Sequence, residues 1–148
     1  MPKTNPTHSE CRHFIASMET LGLVVSFLVR RAPFSGFAAA SLIEALQNQL
    51  SSSCHVCLVE NDQLTGYLGW LPITSALGER WKCDEAVLTI APDGSANAVA
   101  ITIFATDTPE GARKLIRAAR TLKSPCKIYF KREKGDGNAR KASVLNLR

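Results

Sequence analysis

Apolar residues at helical spacing occupy the first third of the chain and predict two helices. Thr7 and Glu10 fit a capping box, so the first helix is expected from residue 7 to about residue 30, ending near Pro33. Ser35 is suited to cap a second helix, which ends at the polar run 51–53. The inner faces of the two helices are formed by Cys11, Phe14, Ile15, Met18, Leu21, Val25 and Leu28, and by Leu42, Ile43, Leu46 and Leu50.

After these helices the pattern changes to runs of β-branched and aromatic residues, which predict a β-hairpin. Its strands are residues 55–59 and 64–71, and residues 61–63 supply the turn. Because side chains alternate along a strand, Cys54 and Cys57 should point to opposite faces and not share one metal ion. No second pair of cysteines has this spacing, so the sequence predicts buried core thiols and no metal site.

The second half of the chain predicts a further helix among strands. Residues 72–82 form a turn region, and Asp107 to Glu110 opens a third helix with a capping acid and an early proline. Four more strands are predicted at residues 85–90, 99–105, 127–133 and 141–147. The element order predicts a single α+β domain over residues 1–148, with two N-terminal helices before the hairpin and helices covering a mainly antiparallel sheet of about six strands.

Charge is distributed unevenly along the chain. Residues 113–148 contain twelve Lys or Arg against two acids, whereas residues 1–112 contain six Lys or Arg against eleven acids. Such asymmetry favours an acidic partner near the C-terminal end, and a solvated basic face without a partner is the alternative. The residues proposed to contact an acidic partner are Arg113, Lys114, Arg117, Arg120, Lys131 and Arg132.

The chain shows no sign of export or of a membrane span. Its longest apolar run, residues 21–29, is shorter than the roughly 20 residues that cross a bilayer. The N-terminus lacks the apolar core of a signal peptide, and the five cysteines do not form an even disulfide framework. We therefore expect a soluble, cytoplasmic protein.

Four stretches of the sequence resemble the toxin-activating acyltransferases. They are "LGLVVSFLV", "HVCLVENDQLTGYLGW", "ITIFATDTPEGARKLIRAA" and "KIYFKREKGDGNARKASVLN". Enzymes of that family transfer a fatty acyl group from acyl carrier protein to lysines of RTX toxins, and their fold is similar to the N-acetyltransferase (GNAT) fold. The resemblance implies a GNAT-like fold, an acyl carrier protein or acyl-CoA as donor, a protein lysine as acceptor, a homodimer and no permanently bound cofactor.

The catalytic residues of that family are not found at the matching places. Phe34 stands where the family has its histidine, and Ala100 or an equally non-acidic neighbour stands where it has its aspartate. Neither side chain transfers a proton. The three histidines, His8, His13 and His55, do not obviously replace the missing base, so the catalytic residues stay unknown. One interpretation is an acyltransferase that works by positioning and backbone oxyanion donors, and the other is a non-catalytic module that binds an acyl chain, an acyl carrier protein or another protein.

Two further interpretations come from the C-terminal segment. Arg132, Gly135 and Gly137 fit the R-x-x-G-x-G loop with which acetyltransferases hold the pyrophosphate of acetyl-CoA, although a hairpin turn explains the same residues. The basic segment also contains Tyr129 and Phe130 on adjacent faces of a predicted strand, where an aromatic ring can stack on a base while lysines contact phosphates. The alternatives are thus an acetyl-CoA-dependent N-acetyltransferase and a nucleic-acid-binding domain.

Overall fold

A computed structural model of the protein describes residues 8–122, 126–133 and 140–146. The elements of this part are β1 (Ser9–Arg12), α1 (Met18–Leu28), α2 (Ala39–Ser51), β2 (His55–Glu60), β3 (Gln63–Ile73), α3 (Ser75–Lys82), β4 (Ala98–Thr106), α4 (Pro109–Leu122), β5 (Lys127–Glu133) and β6 (Arg140–Asn146). The six strands lie in one sheet in chain order. None of the described helices is long and apolar enough to cross a lipid bilayer.

The sheet is mixed. β1 pairs antiparallel with β2, β2 with β3, and β5 with β6, whereas β4 pairs parallel with β5. The parallel register joins Ala98 to Lys127 and Ile101 to Phe130. A parallel pair needs a crossover connection, and α4 provides it. The prediction of a mainly antiparallel sheet therefore did not include the parallel pair of β4 and β5, which precede and follow α4 in the chain.

The predicted first helix is wrong over residues 8–17. Ser9–Arg12 forms strand β1, and α1 begins at Met18, where the Ser17 hydroxyl accepts a 3.0 Å hydrogen bond from the amide of Thr20. Thr7, to which the capping box was assigned, lies outside the described residues. The helical spacing of the apolar residues was misleading because pairing with β2 decides the conformation of this segment.

Two other predictions also need correction. Ser35 lies in a short 3-10 turn and does not cap α2, which begins after Ala38. Residues 85–90 form no strand, and the predicted turn region before them contains helix α3, capped by Thr74. By contrast, the structure confirms the hairpin, the strand before the third helix, the third helix itself and the last two strands.

The chain divides into two compact units. The first comprises residues 1–69 and 104–119, and the second comprises residues 70–103 and 120–148. Buried side chains of the first unit include Val24, Leu28, Leu46, Leu58 and Leu115. In the second unit a buried cluster is formed by Ile73, Ala98, Ala100 and Tyr129, against which Leu71, Leu77, Trp81 and Leu88 pack.

Candidate functional site

The start of helix α4 is a place in the first unit that is suited to hold an anion. The Thr108 hydroxyl accepts a 3.0 Å hydrogen bond from the amide of Gly111, which caps the helix. The first-turn amides of a helix and its dipole both favour a negative group at this end. At the end of β4 the hydroxyl of Thr106 is buried beside Gly111 and has no hydrogen-bond partner among the described residues.

An ion pair between Arg31 and Asp107 lies next to this helix start. Arg31 Nη2 donates to both carboxylate oxygens of Asp107, at 2.8 Å to Oδ1 and at 3.0 Å to Oδ2. Arg31 Nε also donates to Oδ1, at 2.9 Å. The guanidinium lies 3.7 Å from the centre of the Phe27 ring, and Nη1 donates to the Phe27 carbonyl. Since this forked geometry also suits a phosphate, an anion at the helix start would compete with Asp107 for Arg31.

The two positions at which the resemblance places catalytic residues are apolar and buried. Phe34 lies buried in the short turn after α1. Its ring contacts the Phe37 ring edge to face, with 5.3 Å between the ring centres. Ala100 is fully buried in β4 and opposite Tyr129 of β5. Neither position offers a group that can accept a proton.

His55 is fully buried, and both of its ring nitrogens are hydrogen-bonded. Nε2 accepts from the amide of Phe14 at 2.9 Å, and Nδ1 donates to the carbonyl of Gln49 at 3.2 Å, which assigns the neutral Nδ1–H form. Burial is the main cause that lowers the pKa of His55. The exposed His13 ring contacts it edge to face at 5.1 Å. With both nitrogens occupied, His55 is a structural residue and not a general base.

A second set of buried polar contacts surrounds Gln49 of α2. Its side-chain oxygen accepts a 2.8 Å hydrogen bond from the hydroxyl of Tyr67, and burial raises the pKa of that phenol. The Tyr67 ring stacks on His55 with 6.0 Å between ring centres. Gly69 leaves room for the Gln49 amide, because a Cβ at this position would overlap it. These groups satisfy one another, so they hold α2 on the hairpin and do not form a reactive site.

In the second unit the carboxylate of Glu79 lies within 4.0 Å of three polar groups. It accepts hydrogen bonds from Lys82 Nζ at 2.7 Å and from the Tyr129 hydroxyl at 2.9 Å, and Lys127 Nζ lies 4.0 Å away. The hydrogen bond from Lys82, followed by that from Tyr129, lowers the pKa of Glu79. Burial, followed by the hydrogen bond to Glu79, raises the pKa of Tyr129 to about 12.

The position of Tyr129 bears on the nucleic-acid interpretation. Its side chain is fully buried, and Gly78 lies directly over the ring. A base cannot stack on a ring that is covered on this face. The interpretation that used Tyr129 as a stacking platform is therefore wrong for that residue.

The basic residues proposed to bind an acidic partner lie in different environments. Arg113, Arg117 and Arg120 are exposed on α4. Lys114 is half-buried, and its Nζ donates to the Ser9 hydroxyl at 2.9 Å. Lys131 Nζ lies 2.5 Å from Asp84 and 4.6 Å from the centre of the Trp81 ring, so its charge is already paired. The side chain of Arg132 and the residues Gly135 and Gly137 lie outside the described part, so the proposed pyrophosphate loop stays a prediction.

Cys54 and Cys57 are buried, which confirms that both are core thiols. Cys54 Sγ contacts the carbonyl of Ser52 at 3.6 Å, and burial raises the pKa of Cys57 to about 12. Among the described residues, no three His, Cys, Asp or Glu side chains are grouped to hold a metal ion. The exposed cysteine of the described chain is Cys83.

Comparison with known proteins gives matches among solved structures. Neither a protein-family model nor a curated protein sequence matches the chain. The loading GNATL domain of CurA from Lyngbya majuscula is 12% identical with a TM-score of 0.57, over 84% of this chain and 64% of that one. The GphF GNAT-like decarboxylase in complex with isobutyryl-CoA is 16% identical with a TM-score of 0.61, over 86% and 67%.

A third solved structure matches over most of both chains. The GNAT family acetyltransferase from Brucella melitensis in complex with acetyl-CoA is 14% identical with a TM-score of 0.56, over 95% of this chain and 89% of that one. The chain thus spans 64% of the CurA domain, and similarity at these identities establishes the fold alone. A relationship to the toxin-activating acyltransferases is not among these findings. The chain has a GNAT-like α+β fold.

Proposed function

We propose that this chain binds an acyl thioester and supports transfer of its acyl group to an amine. The observation that carries the proposal is the GNAT-like arrangement in which β4 leads into α4, with a capped helix start beside Arg31. Two solved structures with similar folds are complexes with isobutyryl-CoA and with acetyl-CoA. Acyl-CoA is therefore the donor to test first, and the phosphopantetheine thioester of an acyl carrier protein has the same phosphate and thioester chemistry.

The donor's phosphate fits the start of α4. The helix end supplies amide donors, and Arg113 lies on the exposed surface one turn further, about 6 Å along the helix axis from Pro109. Arg31 supplies a second positive group if the phosphate displaces Asp107 from it. The unpaired hydroxyl of Thr106 is a further polar group at this place. Two carboxylates, Asp107 and Glu110, lie at the same helix start, so a phosphate binds here only if the amides and the arginines outweigh them.

The transfer step needs little from the protein beyond positioning. The amine nitrogen attacks the thioester carbonyl, the C–S bond breaks, and the proton lost by the amine passes through solvent to the departing thiolate. Holding the two reactants together can supply much of the rate acceleration. A protein lysine as acceptor, an acidic acyl carrier protein contacting Arg117 and Arg120, and a homodimer are the finer parts of this proposal.

One observation favours a second candidate, an acyl-thioester-binding module without activity. Phe34 and Ala100 are buried apolar residues, and both nitrogens of His55 are occupied, so these three positions supply no general base. Such a module would bind the donor in the same way, and the acyl group would stay on its carrier.

Binding is tested by titrating acetyl-CoA and isobutyryl-CoA into the protein. Arg31→Ala removes a cation and leaves Asp107 unpaired near the phosphate, so we expect affinity to fall about tenfold. Arg30→Ala is the matched control, because Arg30 is an exposed neighbour outside the ion pair, and it should change affinity less than about twofold. Asp107→Asn frees Arg31 for the phosphate and should tighten binding. Loss of affinity in Asp107→Asn would contradict the proposed phosphate position.

Transfer is tested by mass spectrometry of a lysine peptide after incubation with the protein and acyl-CoA or acyl-loaded carrier protein. Acylation of the peptide would support the transferase. Binding without acylation would support the module, and absence of donor binding would refute both.

A further inference from the structure

Helix α1 is apolar on the side that faces solvent as well as on the side that faces the core. Its buried side chains are Leu21, Val24, Phe27 and Leu28. Half of the large apolar side chains that are exposed in the described structure also lie in α1 or within three residues of its ends, namely Ile15, Met18, Leu23 and Val29. Since a helix that is apolar all round is normally covered on all sides, the solvent side of α1 has the composition of a contact surface.

Two charged side chains stand at the ends of this surface. Glu19 and Arg30 are the charged residues between positions 18 and 30, and both are exposed. Neither side chain has a hydrogen bond or an ion pair within the described part of the chain. Eleven residues correspond to three helical turns plus about 20°, so the two charges lie on the same side, about 16 Å apart along the axis. An acid thus marks one end of the apolar surface and a base marks the other.

The elements next to α1 do not give this surface an excess of either charge. Arg31 follows the helix, but its charge is paired with Asp107. Helix α2 packs against α1, and its charged residue is Glu44. Strand β1 ends at Arg12, whose guanidinium lies 5.3 Å from the centre of the Phe14 ring. The partner that fits is therefore another apolar surface that carries one acid and one base in the opposite order.

We propose that the solvent side of α1 is the contact between two copies of this chain, with the two α1 helices antiparallel. A two-fold axis midway between positions 19 and 30 brings Glu19 of each copy opposite Arg30 of the other. The same axis places Leu23 opposite Ser26, a large side chain against a small one. One rotation thus forms two ion pairs and covers the apolar surface. A lipid bilayer fits less well, because helices that lie on bilayers are rich in Lys or Arg.

This inference assigns a surface to the homodimer named with the proposed function, and it does not depend on acyl-thioester binding, since it uses neither α4 nor Arg31. The helix is only about 16 Å long, and small interfaces are weak. We therefore expect a dissociation constant of about 10–100 μM, so that the chain is monomeric in dilute solution.

Analytical ultracentrifugation of the full chain from about 5 to 500 μM measures this constant. Glu19→Arg and Arg30→Glu each turn both ion pairs into like-charge contacts, so each should weaken the dimer about tenfold. The double variant Glu19→Arg with Arg30→Glu reverses both pairs and should return to within about threefold of the unaltered protein. The control is Glu85→Arg, which makes the same change of charge at an exposed position of the other unit and should leave the constant unchanged.

The apolar part of the contact is tested with Leu23→Asp. Leu23 is 47% exposed, so the fold should be retained, and a charge at the centre of the contact should abolish the dimer up to about 500 μM. Val87→Asp is the matched control, because it makes the same kind of change at an exposed apolar residue of the other unit. The dimer should be unaffected by this control.

Several outcomes would overturn the inference. A monomer at about 500 μM would reject the dimer, and a dimer that Leu23→Asp leaves intact would place the contact elsewhere. Dissociation by Leu23→Asp with no effect of the two single charge variants would reject the antiparallel arrangement, because parallel helices bring Glu19 opposite Glu19. Sedimentation of the monomer with vesicles of phosphatidylcholine and phosphatidylglycerol, lost in Leu23→Asp, would assign the surface to a membrane instead.

Discussion

Two helical glycines, Gly78 and Gly22, should respond oppositely to the same substitution. Alanine is preferred over glycine within a helix by about 1 kcal/mol, so both replacements gain this amount from the backbone. At Gly22 of α1 no atom other than those of its chain neighbours and of the helix's own backbone lies within 4 Å of the added Cβ, so nothing offsets the gain. At Gly78 of α3 the Cβ would lie 2.5 Å from Cε2 of Tyr129 and 2.7 Å from both Cδ2 and Cζ.

The Tyr129 ring cannot easily move away from a residue at position 78. It is fully buried, and its hydroxyl is tied to Glu79 by a 2.9 Å hydrogen bond. Overpacking of a core costs about 1–3 kcal/mol, and three overlapping ring atoms place this case at the upper end. After the helical gain, Gly78→Ala should lower the free energy of unfolding by about 2 kcal/mol, and Gly22→Ala should raise it by about 0.5–1 kcal/mol.

Urea denaturation followed by circular dichroism measures both changes. The linear extrapolation should show a lower midpoint for Gly78→Ala and a higher one for Gly22→Ala, with similar slopes. The double variant Gly78→Ala with Tyr129→Leu removes the ring, so it should be more stable than the sum of its single changes predicts. A gain in stability for Gly78→Ala would refute the packing argument.

Two predictions concern pH. Since the pKa of Tyr129 is raised to about 12 from an ordinary value of 10.0, its contribution to stability should be complete below pH 10.0 and disappear as the pH rises through about 12. Absorbance at about 295 nm should show tyrosinate forming at higher pH in the folded protein than in urea, and coincident titrations would contradict this. Since the pKa of His55 lies below 6.5, its contribution is present above pH 6.5 and is lost as the pH falls through the lowered pKa. Nitrogen NMR should show the neutral Nδ1–H form at pH 6.5, whereas a half-protonated ring at that pH would reject the buried hydrogen-bond arrangement.

Local sequence signals were sufficient for the hairpin and for the third helix. Asn61 and Asp62 adopt φ angles of 49° and 62°, which these residue types tolerate in a tight turn. Thr108, Pro109 and Gly111 define the start of α4 within four residues of one another. In both cases the deciding interactions are close in sequence.

Elements that depend on distant partners were predicted poorly. The apolar residues near Phe14 have helical spacing, but β1 pairs with β2 and His55 accepts the amide of Phe14 across 41 residues. Helix α3 was missed because a central Gly78 weakens the helical signal, and only the position of Tyr129 explains why glycine is there. Tertiary contacts override local preference at each of these places.

The candidate site was less predictable than the fold. Arg31 and Asp107 are 76 residues apart, and neither carries a local motif that indicates the other. The sequence pattern predicts only a helix-capping role for Asp107, and no pattern around Arg31 indicates a functional role. Their pairing follows from the position of the turn after α1 relative to the start of α4, which lie in the same compact unit.

The contact between Gln49 and Gly69 has a consequence for how related sequences can vary. Gly69 has no side chain, and the amide of Gln49 fills the space where one would lie. A larger residue at position 69 would displace the Gln49 amide, so we expect a homologue that has one either to carry a shorter residue at position 49 or to turn this amide elsewhere, and in both cases the hydroxyl at position 67 loses its acceptor. Covariation at positions 49, 67 and 69 should thus be a sensitive marker for recognising distant members of this lineage.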